Sequence, residues 1–341
     1  MSKEKYVIVT GGAGYIGSHT VVELTKRGYV PVILDDFRNS NRDIIEKLKK
    51  LVQGPFHFEE IDVTDATSTE SIFKKYHASG VIHFAAYKAV GESVSKPLLY
   101  FDNNINSLLI ILKLSIKYGI KDFVFSSSCT VYGEPDGTIV NELTETKPAF
   151  SPYGATKQMC ERILMDTMES GVDLKLLNLR YFNPVGAHPS GEIGELPAGK
   201  PNNLLPYVTQ TGAGVLEKLT VFGSDYETED GTCLRDYIHV VDLAKAHVLG
   251  LDWLEDQPKS TNETLNVGTG KGTSVLEIIH TFEQVTGIKL NWEFGPRREG
   301  DVEQIYADNS KLKKLLNWSP SLTIEDAIRD AWRWEQNYRN G

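Results

Sequence analysis

Short apolar runs and amphipathic stretches alternate through the first half of the chain. Tyr6–Val9, Val30–Leu34, Phe56–Ile61, Val81–Phe84, Phe123–Phe125 and Leu174–Leu179 have the nearly continuous apolar character of strands covered on both faces. Helical periodicity falls between them, around Ile16–Lys26, Ile44–Leu51, Ser71–Tyr76, Leu98–Tyr118 and Tyr153–Met168. Repeated strand–helix units of this kind predict an α/β fold built on an open, parallel, doubly wound sheet. After Asn183 the texture changes. Residues 184–203 are rich in Gly and Pro, and shorter elements with longer loops follow. We therefore expect one domain over 1–182 and a second, smaller α/β domain over 183–341. The segment 237–268, with its apolar stretch Tyr237–Leu251, is expected to return and pack on the first domain.

Leu98–Tyr118 is apolar around most of its circumference, more than a single sheet-facing stripe can use. Its second apolar face suits a neighbouring helix or a second subunit equally well.

Composition narrows the class. At 40% hydrophobic and 24% charged, the 341 residues have the make-up of a globular protein. Forty-six Asp and Glu against 36 Lys and Arg leave a net charge of −10, which repels nucleic-acid backbones and anionic membranes. An anionic small molecule would need a local cluster of Arg, Lys or backbone N–H groups. Three cysteines, Cys129, Cys160 and Cys233, contain no C-x-x-C pair and suggest a reducing compartment. Residues 1–5 lead directly into an apolar strand pattern, which leaves no room for a signal peptide. The most apolar stretch, Leu108–Ile116, is interrupted by Lys113 and Ser115 and is too short to span a bilayer. The expected location is the cytoplasm. Eight scattered histidines lack metal-ligand spacing, so no metal is expected.

Candidate chemistry begins at Gly11-Gly12-Ala13-Gly14-Tyr15-Ile16-Gly17, which follows the first strand and opens the first helix. Gly12, Gly14 and Gly17 satisfy G-x-G-x-x-G, and Gly11, Gly14 and Gly17 the related G-x-x-G-x-x-G. Such glycines allow a tight turn and close approach to a pyrophosphate at a helix N-terminus. Alone the motif is weak, because a glycine-rich turn can be purely structural. Context strengthens it: Leu34 ends the second strand and Asp35 follows, 18 residues beyond Gly17, where a carboxylate meets a ribose 2′-hydroxyl. A carboxylate there accepts from the diol of NAD and repels the 2′-phosphate of NADP. Asp62 and Val63, after the third strand, are placed to frame an adenine. The pattern predicts a Rossmann domain that binds NAD.

Ser151-Pro152-Tyr153-Gly154-Ala155-Thr156-Lys157 opens a later helix, with Ser151 as N-cap and Pro152 in the first turn. Tyr153 and Lys157 are four apart and share one face. Moving a tyrosine from pKa ~10 toward ~7 needs about 4 kcal/mol. A lysine together with a positive nicotinamide ring can supply this in a closed pocket. Tyr153 would then act as a general base on a sugar hydroxyl. The plain alternative is a surface i, i+4 pair. Ser126-Ser127-Ser128 weighs against that, since it ends a strand at the edge where doubly wound sheets bind ligands.

Several motifs together resemble the UDP-glucose 4-epimerases, a family of extended short-chain dehydrogenase/reductases. They are the glycine turn, Phe84-Ala85-Ala86, Lys88-Ala89-Val90-Gly91-Glu92-Ser93-Val94, Ser126-Ser127-Ser128-Cys129-Thr130-Val131-Tyr132-Gly133 and Tyr153 with Lys157. Arg180-Tyr181-Phe182-Asn183-Pro184, Pro201-Asn202-Asn203-Leu204 and Arg235-Asp236-Tyr237-Ile238-His239-Val240 complete the set. The resemblance runs from Tyr6 to about Trp334. It implies that Tyr153 is the catalytic base and acid, that Lys157 lowers its pKa and holds the nicotinamide ribose, and that Ser128 orients the 4′-oxygen. It places NAD contacts on Tyr15, Ile16, Asp35, Asp36, Asn39, Asp62, Val63, Phe84, Ala85, Lys88, Asn103 and Phe182. It places nucleotide-sugar contacts on Lys88, Thr130, Asn183, Asn203, Leu204, Phe222, Arg235, Arg298 and Asp301. Two arginines among these suit a pyrophosphate in an otherwise acidic chain.

The implied reaction oxidises UDP-galactose or UDP-glucose at C4′, turns the 4-keto sugar over, and returns the hydride to its other face. Ile305 falls where the family places a gate beside the sugar 2′-substituent; its intermediate size leaves N-acetylated sugars undecided, and we expect weak or no use of them because a branched side chain still fills much of the needed volume. The helices Leu98–Tyr118 and Tyr153–Met168 resemble those that pair in the family's dimers, which implies a homodimer. The resemblance leaves rivals on the same fold. A 4,6-dehydratase typically has an Asp-Glu pair just after its active-site Thr; the corresponding stretch here reads Ser128-Cys129-Thr130-Val131 and offers no carboxyl group. A decarboxylase and a non-catalytic NAD-sensing module are the others.

Overall fold

Apolar strands and helices follow one another in the order that the hydrophobic pattern predicts. The computed structural model describes residues 4–197, 199, 201–298 and 302–340. It begins β1 (Lys5–Thr10), α1 (Tyr15–Lys26), β2 (Tyr29–Asp35), α2 (Asp43–Leu51), β3 (His57–Glu60), α3 (Ala66–Tyr76) and β4 (Gly80–His83). Next come α4 (Val90–Ser95), α5 (Pro97–Lys117), β5 (Asp122–Ser126), a 3-10 turn (Cys129–Tyr132), β6 (Ile139–Val140), α6 (Pro152–Glu169) and β7 (Lys175–Tyr181). Then follow β8 (Asn183–Val185), α7 (Leu204–Gly212), β9 (Leu219–Phe222), β10 (Leu234–His239), α8 (Val240–Glu255) and β11 (Asn262–Val267). The chain closes with β12 (Gly272–Ser274), α9 (Val275–Thr286), β13 (Trp292–Gly295), β14 (Gln304–Ala307), α10 (Ser310–Leu316) and α11 (Ile324–Asn340).

Two compact units result. One comprises the chain up to Glu134, Glu145–Tyr181 and Ala244–Leu265; the other comprises Pro135–Thr144, Phe182–Leu243 and the chain from Asn266. The first unit is built on a seven-stranded sheet in the order β11-β7-β5-β4-β1-β2-β3. The pairings from β3 through β7 are all parallel. The order reverses between β1 and β4, and ligands of doubly wound sheets bind at such a reversal, beyond the carboxyl ends of the strands. Ile8, Val32, Val81, Phe123 and Leu176 from the strands pack with Phe73, Leu108, Ile111 and Leu164 from the helices.

Local chemistry sets the helix ends. Ser151 accepts a hydrogen bond from Gly154 N at 3.2 Å, and Pro152 starts α6 with its fixed φ. α3 begins five residues before the apolar periodicity shows it, because Asp65 accepts from Thr67 N and Ser68 N.

The second unit holds a sheet in the order β12-β10-β14-β6, with β8 beside β10, and a parallel β9–β13 ribbon. Its core joins Leu205 and Val208 of α7, Ile279 and Phe282 of α9, and Ala327 and Ile328 of α11. Ser274 and Glu277 form a reciprocal capping box that starts α9. Asp236 organises the middle of this sheet: its buried carboxylate accepts from Thr269 N at 2.8 Å, Gly270 N at 2.9 Å and Ala307 N at 3.1 Å. Among the described residues no helix is long and apolar enough to cross a membrane.

Candidate active site

The glycine turn leaves β1 at the carboxyl edge of the parallel sheet. Gly11 has φ +68°, and a Cβ there would sit 2.9 Å from Ala85 N. A Cβ on Gly17 would lie 2.2 Å from Gly11 O, so the first turn of α1 closes on the loop only if glycine stands there. Gly14 is the N-cap of α1, and no side chain caps that end. The arrangement is a cradle of backbone at a helix N-terminus, suited to a pyrophosphate.

Asp35 ends β2 beside this turn. Its carboxylate accepts from Ala13 N at 3.0 Å, Phe37 N at 2.9 Å and Ser40 Oγ at 3.1 Å. Burial pushes its pKa upward, and those three hydrogen bonds oppose the shift. Asp36, Asp62 and Asn103 gather around one cation. Arg38 pairs with both aspartates and donates to Asn103 Oδ1 at 3.1 Å. Asn39 is exposed beside it, and Val63 is buried. The Lys88 ammonium lies 5.8 Å from the Tyr15 ring centroid, while Phe84 packs on His247 at 4.7 Å. Ala85 N donates to Thr10 Oγ1 at 3.2 Å. Ile16 is buried in the first turn of α1. Phe182, the remaining candidate for NAD, is buried and belongs to the second unit.

Ser128, Tyr153 and Lys157 come together in the first unit. Ser128 follows β5, Tyr153 lies in the first turn of α6, and their side chains share a hydrogen bond. Lys157 is buried; its ammonium lies 5.9 Å from the Tyr153 ring centroid and donates to Ser126 O at 2.7 Å. Burial raises the Tyr153 pKa well above its usual value, the neighbouring Tyr181 adds to the rise, and the Ser128 hydrogen bond only moderates it. Lys157 spends its short contact on a carbonyl rather than on the phenol, and burial lowers its own pKa to about 8. Thr130 Oγ1 is buried two residues after Ser128 and makes no hydrogen bond among the described residues.

The other nucleotide-sugar candidates lie in the second unit. Asn183 is paired with Tyr237 between β8 and β10, and Arg235 is paired with Ile305 between β10 and β14. Arg298 lies 4.2 Å from the Phe222 ring centroid. Asn203 donates to Glu195 Oε1 at 2.6 Å immediately before Leu204 opens α7. Asp301 lies outside the described residues.

Four residues beyond the sequence candidates join these clusters: Arg38, Glu161, Arg180 and Tyr181. Tyr181 shares hydrogen bonds with Tyr153 and Ser126. Arg180 and Tyr181 end β7 at the same carboxyl edge as Ser126, and Glu161 follows Lys157 by one helical turn. Edge position and helix spacing place Arg180, Tyr181 and Glu161 near the site without assigning their partners, and neither signal marks Arg38.

A family model described as GDP-mannose 4,6 dehydratase matches residues 8–331. UDP-glucose 4-epimerase 2 of Arabidopsis thaliana is 48% identical over 338 residues, which is 98% of this chain and 95% of that protein. The UDP-glucose 4-epimerase of Bacillus subtilis is 47% identical over 337 residues, covering 98% of each. A solved UDP-glucose 4-epimerase from Stenotrophomonas maltophila, with bound NAD and formylated UDP-arabinopyranose, matches with a TM-score of 0.96 at 45% identity and covers 99% of both chains. With relatives this similar over nearly its whole length, the chain belongs to the UDP-glucose 4-epimerase family.

Proposed function

We propose that this chain is an NAD-dependent isomerase that interconverts UDP-galactose and UDP-glucose at C4′. One arrangement carries the reading: Ser128 hydrogen-bonded to Tyr153, with Lys157 one turn further along α6, at the carboxyl edge of the parallel sheet. The relatives of the same family and their NAD-bound structure support it.

The residues fit the cofactor. The Gly11–Gly17 cradle suits a pyrophosphate, and Asp35 presents acceptor oxygens of the kind that a ribose diol requires. NAD held there would supply the acceptor and donor for the C4′ hydride and a positive ring that favours the phenolate. Tyr153 takes the proton from the 4′-hydroxyl as that carbon becomes a ketone, then returns it. Ser128 shares a hydrogen bond with the same oxygen. Lys157 stabilises the phenolate as a buried cation and binds the nicotinamide ribose. Thr130 Oγ1 offers a buried hydroxyl to the sugar. Lys88, Asn183, Asn203, Leu204, Phe222, Arg235, Arg298 and Asp301 are assigned to the nucleotide sugar, with the arginines on its pyrophosphate.

Elimination, the dehydratase alternative, requires a carboxyl group beside the sugar. The 3-10 turn Cys129–Tyr132 contains none. Ile305 is buried and is assigned to limiting the 2′-substituent. UDP-N-acetylglucosamine is then turned over far more slowly than UDP-glucose; comparable rates contradict the assignment. We place the enzyme in the cytoplasm as a homodimer.

Tyr153→Phe tests the assignment of the base. Turnover falls by about 10²–10⁴-fold while NAD stays bound, in line with the usual contribution of a general base. An unchanged rate removes Tyr153 from the chemistry and favours a sensing role for the bound nucleotide.

A further inference from the structure

The serine turn after β5 rests on a buried ion pair that the proposed reaction does not use. Glu161 lies one turn beyond Lys157 on α6, so Tyr153, Lys157 and Glu161 run along one face. Its carboxylate accepts from Ser127 Oγ at 2.5 Å, from Arg180 Nε at 3.0 Å and from Arg180 Nη2 at 2.6 Å. The Arg180 and Glu161 side chains are only 10% and 13% exposed, and Ser127 is wholly buried. Arg180 comes from β7, and its guanidinium also lies 4.9 Å from the Tyr132 ring centroid. One carboxylate thus ties together the end of β5, helix α6 and strand β7.

Net stability is a weak reason for such a pair. Desolvating two charges cancels much of their attraction, and apolar replacements are often as stable. Position does account for it. Ser127 sits between Ser126, whose carbonyl receives the Lys157 ammonium at 2.7 Å, and Ser128, which hydrogen-bonds Tyr153. Displacing Ser127 displaces both.

Charge gives a second reason. Lys157 faces Phe125 on β5 at 4.9 Å, His83 on β4, and Tyr153 and Cys160 on its own helix; Tyr181 of β7 adjoins Tyr153. Burial keeps the His83 ring neutral down to about pH 3 and lifts the Cys160 thiol to about 11. Burial also raises both tyrosines; among the described residues Cys160 and then Glu161 favour the charged Lys157, and with the thiol held neutral Glu161 is the one that brings a full negative charge. We propose that Glu161 is a positioning residue for proton transfer: its carboxylate pins the Ser126–Ser128 turn on α6 and supplies the countercharge for Lys157, with Arg180 moderating that charge. This rests on reading Tyr153 and Lys157 as the proton-transfer pair.

The test compares pH–rate profiles of the full-length, NAD-loaded protein and its variants with UDP-galactose. A cationic Lys157 is required, so kcat falls on the alkaline side as that proton is lost. In Glu161→Gln the alkaline limb moves down by roughly half a unit to one unit, since the favourable charge is gone. In Arg180→Gln it moves up, because Glu161 is no longer shared. Nitrogen NMR of lysine-labelled protein follows Lys157 directly and shows the same opposed shifts. Ser127→Ala keeps the ion pair; its plateau kcat drops several-fold with KM and limb unchanged. Glu161→Asp keeps the charge, holding the limb while lowering kcat, and it serves if Glu161→Gln fails to fold. Limbs that stay fixed or move in the same direction overturn the countercharge, and an unchanged Ser127→Ala overturns the pinning. A wild-type protein inert toward UDP-galactose overturns the functional reading instead, and the NMR shifts still judge the countercharge.

Discussion

His83 closes β4 with its ring buried against Phe123 and Phe125 and its Nδ1 2.8 Å from Thr10 Oγ1. Burial lowers its pKa to about 3, with the Lys157 charge as a smaller contribution, whereas an unfolded chain titrates near the ordinary value of about 6.5. Between those values the unfolded state holds more protons, so stability falls as pH drops from about 6.5 toward 3. The urea midpoint should therefore decline between pH 7 and pH 5, and His83→Asn should flatten that slope. An equal slope in the variant shows that other groups carry the acid sensitivity. Residues that spacing singles out were readable in the sequence: Gly11, Gly17, Asp35, Tyr153 and Lys157 are all marked by offsets along the chain, and the structure sets Gly11, Gly17 and Asp35 at one turn and Tyr153 and Lys157 on one helix. His83, Arg38, Glu161 and Arg180 were harder to read. Their roles come from burial and from partners on other elements, which no local offset encodes.

At the scale of elements, α5 and α6 pack together, yet Leu98, Leu99 and Ile116 of α5 and Met159 and Met165 of α6 remain exposed. Exposed apolar side chains gathered on two adjoining helices are the mark of an interaction surface. A second copy of the chain is the occupant we assign, and sedimentation velocity should give twice the chain mass at micromolar concentration. A single-chain mass contradicts it. Most strands and helices of the first unit were legible because buried parallel strands carry continuous apolar runs. Short elements were not. β6 has two residues, and β8 and β12 have three each, too few for any periodicity to register. Four of the six residues of β11 are polar, and its place at the edge of the seven-stranded sheet depends on tertiary pairing.

At the scale of the molecule, both units are assembled from separated stretches of chain, Pro135–Thr144 joining the second and Ala244–Leu265 the first. The apolar stretch Tyr237–Leu251 gave a reason to expect a return to the first unit, whereas the crossing of Pro135–Thr144 into the second depends on long-range pairs such as Tyr306 with Ile139 and Ala307 with Val140, which hydrophobic patterning does not reveal. The account centres on a redox step that is reversed within each cycle, so the cofactor leaves no trace in the net reaction. The direct test is to incubate the purified protein with UDP-galactose and no added cofactor, then separate the nucleotide sugars and measure absorbance from reduced nicotinamide. The account predicts UDP-glucose without net NADH. No UDP-glucose, even after NAD is supplied, contradicts it.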